Sequence, residues 1–222
     1  MKHDINSPIY NDNRKYDYSF SENEDRAEYS KIVQLISPHS KVIDLGCGNG
    51  SLLKLLKEKK NIQDYGIELS ESGVEICIKK GLKVVQGRID RRLDIQDDSF
   101  DYSICNVTIQ MVNYPEVLLR EMKRISKRQI ISFPNFGFYK NRIDLLINGR
   151  MPKPMLFGYN WYSTGHLHQL SIKDFYDLIE ATEGVNVTKV ILEQSANPFK
   201  NYFLNKFPNL FQVLPIFLLE KT

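Results

Sequence analysis

The string Val42-Ile43-Asp44-Leu45-Gly46-Cys47-Gly48-Asn49-Gly50 decides how this chain folds. An apolar, β-type run enters three alternating glycines, and beyond them Leu52, Leu55 and Leu56 fall at helical spacing. Glycines in such a bend let the backbone turn tightly and approach a ligand to van der Waals distance, beside a helix N-terminus. Alone, the bend serves equally well as a plain link from strand to helix. Two neighbours point to a ligand. Asp44 stands just before the bend, where a carboxylate suits a cationic ligand or polar loop groups better than a pyrophosphate. Glu68, eighteen residues after Gly50, ends the next strand, where an acid can accept two hydrogen bonds from a ribose diol. Ser51 takes the place where a dinucleotide fingerprint needs its last glycine, which disfavours a nicotinamide-binding protein.

Outward from the bend, strands and amphipathic helices alternate. The pattern predicts helices over 26–36, 50–60, 71–80 and 116–125, and strands over 41–45, 64–68, 83–86, 100–106 and 128–133. In the third helix Val74, Cys77 and Ile78 are expected inward. Further on, Ser171-x-x-Asp174 offers a capping box to a helix bearing Ile172, Phe175, Leu178 and Ile179. Strands over 185–192 and 216–220 close the sheet. This is the α/β signature of a doubly wound, mostly parallel sheet in a single domain over residues 1–222. Residues 1–25, rich in Asn, Asp, Tyr and Ser, are expected to form a mobile arm or lid. Residues 135–170 carry turn signals and the aromatics Tyr139, Phe157, Tyr159, Trp161 and Tyr162, too long a stretch for an ordinary connection. They are expected to cover the ligand end of the sheet.

Composition excludes several classes. The 222 residues carry 30 Lys+Arg against 27 Asp+Glu, a net charge of +3, too even for a strong nucleic-acid footprint. The longest apolar run, 213–219, contains Pro215 and is far too short to span a membrane, and no signal peptide is readable. Cys47, Cys77 and Cys105 are too widely spaced for CxxC chemistry and read as reduced, buried thiols. The chain is therefore expected in the cytoplasm. His166 and His168, on one face of an extended segment, lack a third ligand, so no metal is expected. Lys123, Arg124, Lys127 and Arg128 read as a solvated face.

These residues resemble the class I S-adenosylmethionine-dependent methyltransferases: VIDLGCGNG looks like their first motif and Glu68 like their ribose acid. The resemblance is closer to one family, the methionine biosynthesis protein MetW. It rests on Arg26 ahead of the first helix, VIDLGCGNGSLL, YGIELS, Thr108-x-Gln110 and Ser132-Phe133-Pro134-Asn135-Phe136-Gly137. Gly149-Arg150-Met151-Pro152, Trp161-Tyr162, His168 and Pro208-Asn209-Leu210-Phe211 extend it nearly to the C-terminus. It implies a Rossmann-like sheet of seven strands, the last antiparallel, with an aromatic-rich insertion after the fifth. It also implies that S-adenosylmethionine lies across the first two strands, held by Arg26, Asp44, Gly46, Cys47, Gly48, Gly50, Glu68, Leu69, Ile89, Asp90 and Asn106.

Departures from the family pattern stand beside the matches. Arg88 sits where methyltransferases usually place the Asp that accepts the adenine amino group, leaving Asp90 or a backbone carbonyl for that role. Arg88 reads equally well as a solvated charge. Phe138-Tyr139 and Ser163 replace the family's common His-Trp and Asp. Methyl transfer from a sulfonium needs alignment more than acid–base chemistry, so its residues leave no universal signature. Asn106, Asn135 and His168 are the catalytic candidates. Two functions stay open: a methyltransferase of methionine biosynthesis acting on an unidentified small molecule, with S-adenosylhomocysteine as product, and a non-catalytic partner of homoserine O-acetyltransferase that senses S-adenosylmethionine.

Overall fold

A computed structural model describes residues 17–18, 24–153, 161 and 164–222. Along it run α1 (Ala27–Leu35), β1 (Lys41–Leu45), α2 (Ser51–Lys60), β2 (Gln63–Glu68), α3 (Glu71–Lys79), β3 (Val84–Gln86), β4 (Phe100–Asn106), α4 (Pro115–Ile125) and β5 (Ser126–Ser132). There follow α5 (Tyr139–Asn148), α6 (Ile172–Thr182), β6 (Val185–Ile191), α7 (Pro198–Lys206), α8 (Pro208–Phe211) and β7 (Ile216–Lys221). The strands form one sheet in the order β3-β2-β1-β4-β5-β7-β6. β7 runs antiparallel to both its neighbours and the remaining pairs are parallel. The strand order reverses at β1/β4, the place where open α/β sheets bind ligands outside their carboxyl ends.

Burial explains why β1 is central. Val42, Ile43 and Leu45 are fully buried, as expected of a parallel strand covered on both faces. On one face α2 docks through Leu52, Leu53 and Leu56, each worth roughly 1.5–3 kcal/mol when removed from water. This packing fixes the helix that starts at the glycine bend. On the other face Phe133, Phe175 and Phe217 pack ring to ring, with centroids 4.8–5.7 Å apart. The α6 capping box forms: Ser171 Oγ accepts from the Asp174 N–H, and the Asp174 carboxylate accepts from the Ser171 N–H. No helix among the described residues is long and apolar enough to cross a membrane.

Several sequence expectations need correction. β5 begins two residues earlier than expected, at Ser126, because α4 passes into it directly. Ile78 is 59% exposed rather than inward: on α3 it is Ile76 and Cys77 that face the sheet. Arg124 is no solvated charge. Its side chain is 12% exposed and donates to Glu121, Asp97 and the carbonyls of Leu93 and Ile95, pinning the stretch between β3 and β4. The cover segment contributes α5, and α7 and α8 lie where no helix is expected. α7 starts at Pro198 with Asn197 as its cap, but Phe199, Tyr202 and Phe203 blur its periodicity. The mobile-arm expectation falls mostly outside the described residues, as do Phe157, Tyr159, Tyr162 and Ser163.

Candidate functional site

The carboxyl ends of β1, β2 and β4 open into a cleft of about 490 Å³, within the usual range for small-molecule sites. Its floor is the glycine bend. Gly46 and Gly48 adopt φ +83° and +57°, and a Cβ on Gly46 would lie 2.5 Å from Thr108 Cγ2. Side chains at these points would be strained and would fill the cleft. Gly50, at φ +73°, is not on the wall: a Cβ there would meet Leu82 Cδ1 at 2.6 Å and Cys77 Sγ at 2.7 Å. Its close neighbours there show it serving the packing of α2 against Cys77 and Leu82.

Arg26, Asp44, Gly46, Cys47, Gly48, Glu68, Leu69, Ile89, Asp90 and Asn106 all line this cleft. Asn135 and His168 do not. The Asn135 amide is fully buried and spent on the backbone: Nδ2 donates to the Asn209 and Gln212 carbonyls, and Oδ1 accepts from the Gly137 and Ile172 N–H groups. His168 is exposed, its backbone N–H on the Gln110 carbonyl; it is His166 that reaches the wall. The two imidazoles therefore do not share a face on the site. The described residues hold no group of three or more metal-ligating side chains.

Two buried carboxylates dominate the electrostatics. Glu68 stands on β2 beside the bend, its Oε2 accepting from the Gly48 N–H at 2.8 Å and its Oε1 from the Ser70 N–H at 2.9 Å. Burial raises its pKa, opposed by these N–H groups. Asp44 is 2% exposed, and its Oδ1 has no hydrogen-bond partner among the described residues. Burial first, then the charge of Glu68, pushes its pKa up to about 7. A cation with N–H donors reverses both penalties, which makes the bend a cradle for positive charge. Cys47 is held as a neutral thiol by its hydrogen bond with Cys77, by burial and by Asp44. It is a wall, not a nucleophile.

Toward β3 the wall is polar but neutralised. Arg88 grips Asp90 through two parallel bonds, Nε to Oδ1 at 2.9 Å and Nη2 to Oδ2 at 2.8 Å, and the Asn113 N–H adds a third. The Arg88 side chain is 13% exposed, so it is a built part of the cleft. Toward β4, the Ser132 hydroxyl donates to Asn106 Oδ1, and Asn106 Nδ2 reaches Glu28 Oε1 at 3.3 Å. Above the bend, the Tyr18 N–H donates to Ser72 Oγ and the Glu24 N–H to Ser51 Oγ. Sequence reasoning missed Tyr18, Glu28, Tyr29, Thr108 and His166 on this wall. Tyr18, Glu28 and Tyr29 carry no local motif, and tertiary packing brings them to the cleft.

Comparison with known proteins gives a consistent picture. The model of the family described as "Methionine biosynthesis protein MetW" matches residues 26–219. The chain is 34% identical over 158 residues to the "Bifunctional methionine biosynthesis protein MetXA/MetW" of Rhodopirellula baltica, covering 67% of this chain and 25% of that protein. It spans 25% and 53% of the length of the two curated relatives it matches. Among solved structures, an S-adenosylmethionine-dependent methyltransferase from Archaeoglobus fulgidus superposes with a TM-score of 0.62 at 16% identity, covering 88% of this chain and 92% of that one. The magnesium protoporphyrin IX methyltransferase of Synechocystis, solved with bound S-adenosylhomocysteine, gives 0.60 at 16% identity, over 87% and 82%. At these identities the structures speak for the fold alone.

Proposed function

The chain belongs to the MetW family, and from that premise we propose that its cleft binds S-adenosylmethionine in the service of methionine biosynthesis. The observation that carries this reading is Asp44: a buried carboxylate at a glycine bend, with an oxygen that lacks a partner among the described residues, facing a cleft shared with Glu68. The residues fit the compound. Its positive charge answers Asp44, its ribose hydroxyls answer the lone pairs that Glu68 keeps beyond the Gly48 and Ser70 N–H groups, and the glycines leave room for close approach. At the β3 end Asp90, oriented by Arg88, keeps acceptor capacity for an exocyclic amino group. When bound, the compound supplies an electrophilic methyl. The chain's own part is to hold it, exclude water through Tyr18, Tyr29 and Met111, and fix the Asn106 amide at the β4 end.

Thermal-shift titration with S-adenosylmethionine, S-adenosylhomocysteine and NAD tests the reading. Stabilisation by the first two and not by NAD is expected, and the opposite order refutes it. Release of S-adenosylhomocysteine on adding fractionated cell extract assigns methyl transfer, with a small-molecule acceptor.

The joining of MetXA and MetW in one relative favours a second reading, in which the chain docks on homoserine O-acetyltransferase and S-adenosylmethionine is the signal it senses. Co-purification of the two proteins, with and without S-adenosylmethionine, tests it: association that raises acetyltransferase activity without methyl consumption is expected. The three free, buried thiols are consistent with a cytoplasmic setting for either role.

A further inference from the structure

We propose that Glu28 is an ammonium-binding residue at the β4 end of the cleft, taking a primary amine that belongs either to the adenosyl compound or to a separate small molecule; this deepens, and rests on, the reading above. Glu28 is 7% exposed and lines the cleft from the first turn of α1. An acid in a first turn favours the helix dipole, but an exposed side chain does that as well, so burial calls for another reason. Among the described residues its one hydrogen bond is the 3.3 Å contact from Asn106 Nδ2. That amide cannot rotate to offer more, because Ser132 Oγ–H holds Oδ1 while its oxygen takes the Val107 N–H.

The nearby cation, Arg26, is shared: its charge reaches Glu28, but its Nε and Nη2 go to Glu24 at 2.9 and 2.7 Å. The same wall holds Asp44, 2% exposed, with its Oδ1 unpartnered among the described residues. Asp44 Oδ1 without a donor and Glu28 with a single 3.3 Å contact favour an occupant that brings positive charge and N–H groups. Glu68 lies across β1 from Glu28, on the β2 side of the order β2-β1-β4, so the adenosyl and amine ends of the cleft are distinct. Either the amino-acid end of the adenosyl compound or a separate small amine supplies this chemistry.

Calorimetry on the full chain and on Glu28→Gln distinguishes these sources. The probes are S-adenosylhomocysteine, 5′-methylthioadenosine, which lacks the amino-acid end, and methylammonium chloride against sodium chloride at equal ionic strength. If the amine is the compound's own, Glu28→Gln weakens S-adenosylhomocysteine roughly ten- to hundredfold and leaves 5′-methylthioadenosine unchanged. If it is separate, both affinities stand, and the methylammonium-dependent thermal shift of the wild-type complex disappears in Glu28→Gln. Unchanged affinities with no methylammonium shift in either protein overturn the proposal, as does equal weakening of both adenosyl compounds. Failure of both compounds to bind wild type refutes the adenosyl reading instead, and methylammonium titration of the unliganded proteins then decides Glu28 by itself.

Discussion

Replacing Asp44 by Asn removes a charge that the unliganded fold holds at a cost. The carboxyl is 2% exposed, and burial with the neighbouring Glu68 raises its pKa from 3.8 to about 7. A raised carboxyl pKa means the native state holds its proton more tightly than the unfolded chain. The stability from this proton is therefore complete below about pH 4 and lost as pH rises through 7. At about 1.4 kcal/mol per pKa unit, the ionised form burdens the fold by up to about 4 kcal/mol above pH 7. Asn keeps the shape but brings N–H groups whose burial costs about 1–3 kcal/mol. The expected outcome for ligand-free Asp44→Asn is a gain of about 1–3 kcal/mol at pH 8 and a loss of up to about 2 kcal/mol at pH 4.5. Urea unfolding at the two pH values measures it. A difference between variant and wild type that does not change with pH refutes the electrostatic account of Asp44.

The same carboxyl sets the pH profile of binding: affinity for S-adenosylmethionine is expected to rise roughly tenfold between pH 6 and 8 as Asp44 ionises, and calorimetry in Asp44→Asn should show a flat profile. Glu68→Ala is expected to weaken the adenosyl compounds by about 1.5–3 kcal/mol, read by calorimetry; it also strips the Gly48 and Ser70 N–H groups of their acceptor, so a lower melting temperature accompanies it. Gly50→Ala forces a left-handed φ of +73° on an L-residue and drives a Cβ into Leu82 and Cys77, with an expected loss of about 2 kcal/mol or more in chemical denaturation. Arg124→Ala leaves the Glu121 carboxylate, 7% exposed, with only the Leu93 N–H and the longer 3.5 Å contact to Arg92 and frees the stretch before β4; a loss of about 2–4 kcal/mol is expected in the same assay.

Local signals made much of this molecule legible. The apolar run of β1, its glycines and the leucines of α2 each report a backbone geometry or a buried face directly, and they fixed the sheet and the bend. Glu68 was readable because its place in the chain, at the tip of the adjacent strand, is its place in the cleft. Asn135 was misleading for the converse reason: polar residues after a strand end often face a ligand, but here Asn209 and Gln212, 74 and 77 residues on, bring carbonyls that consume its amide. No sequence pattern announces such a distant partner. Arg124 failed as a surface charge, and Arg88 stood equally open between solvent and cleft, since whether a cation is solvated depends on Asp90 or Glu121 being aimed at it. Glu28 and Tyr18 approach the cleft from chain segments that carry no glycine motif, so tertiary packing alone reveals them.

The most direct measurement is a crystal structure of the protein with S-adenosylhomocysteine. The ribose diol is expected on Glu68, the backbone of Gly46 to Gly48 against the ligand, and the amino-acid end reaching toward Asp44 and the β4 tip. Crystals grown in saturating compound whose cleft shows no ligand density, or a ribose placed away from Glu68, would contradict this expectation.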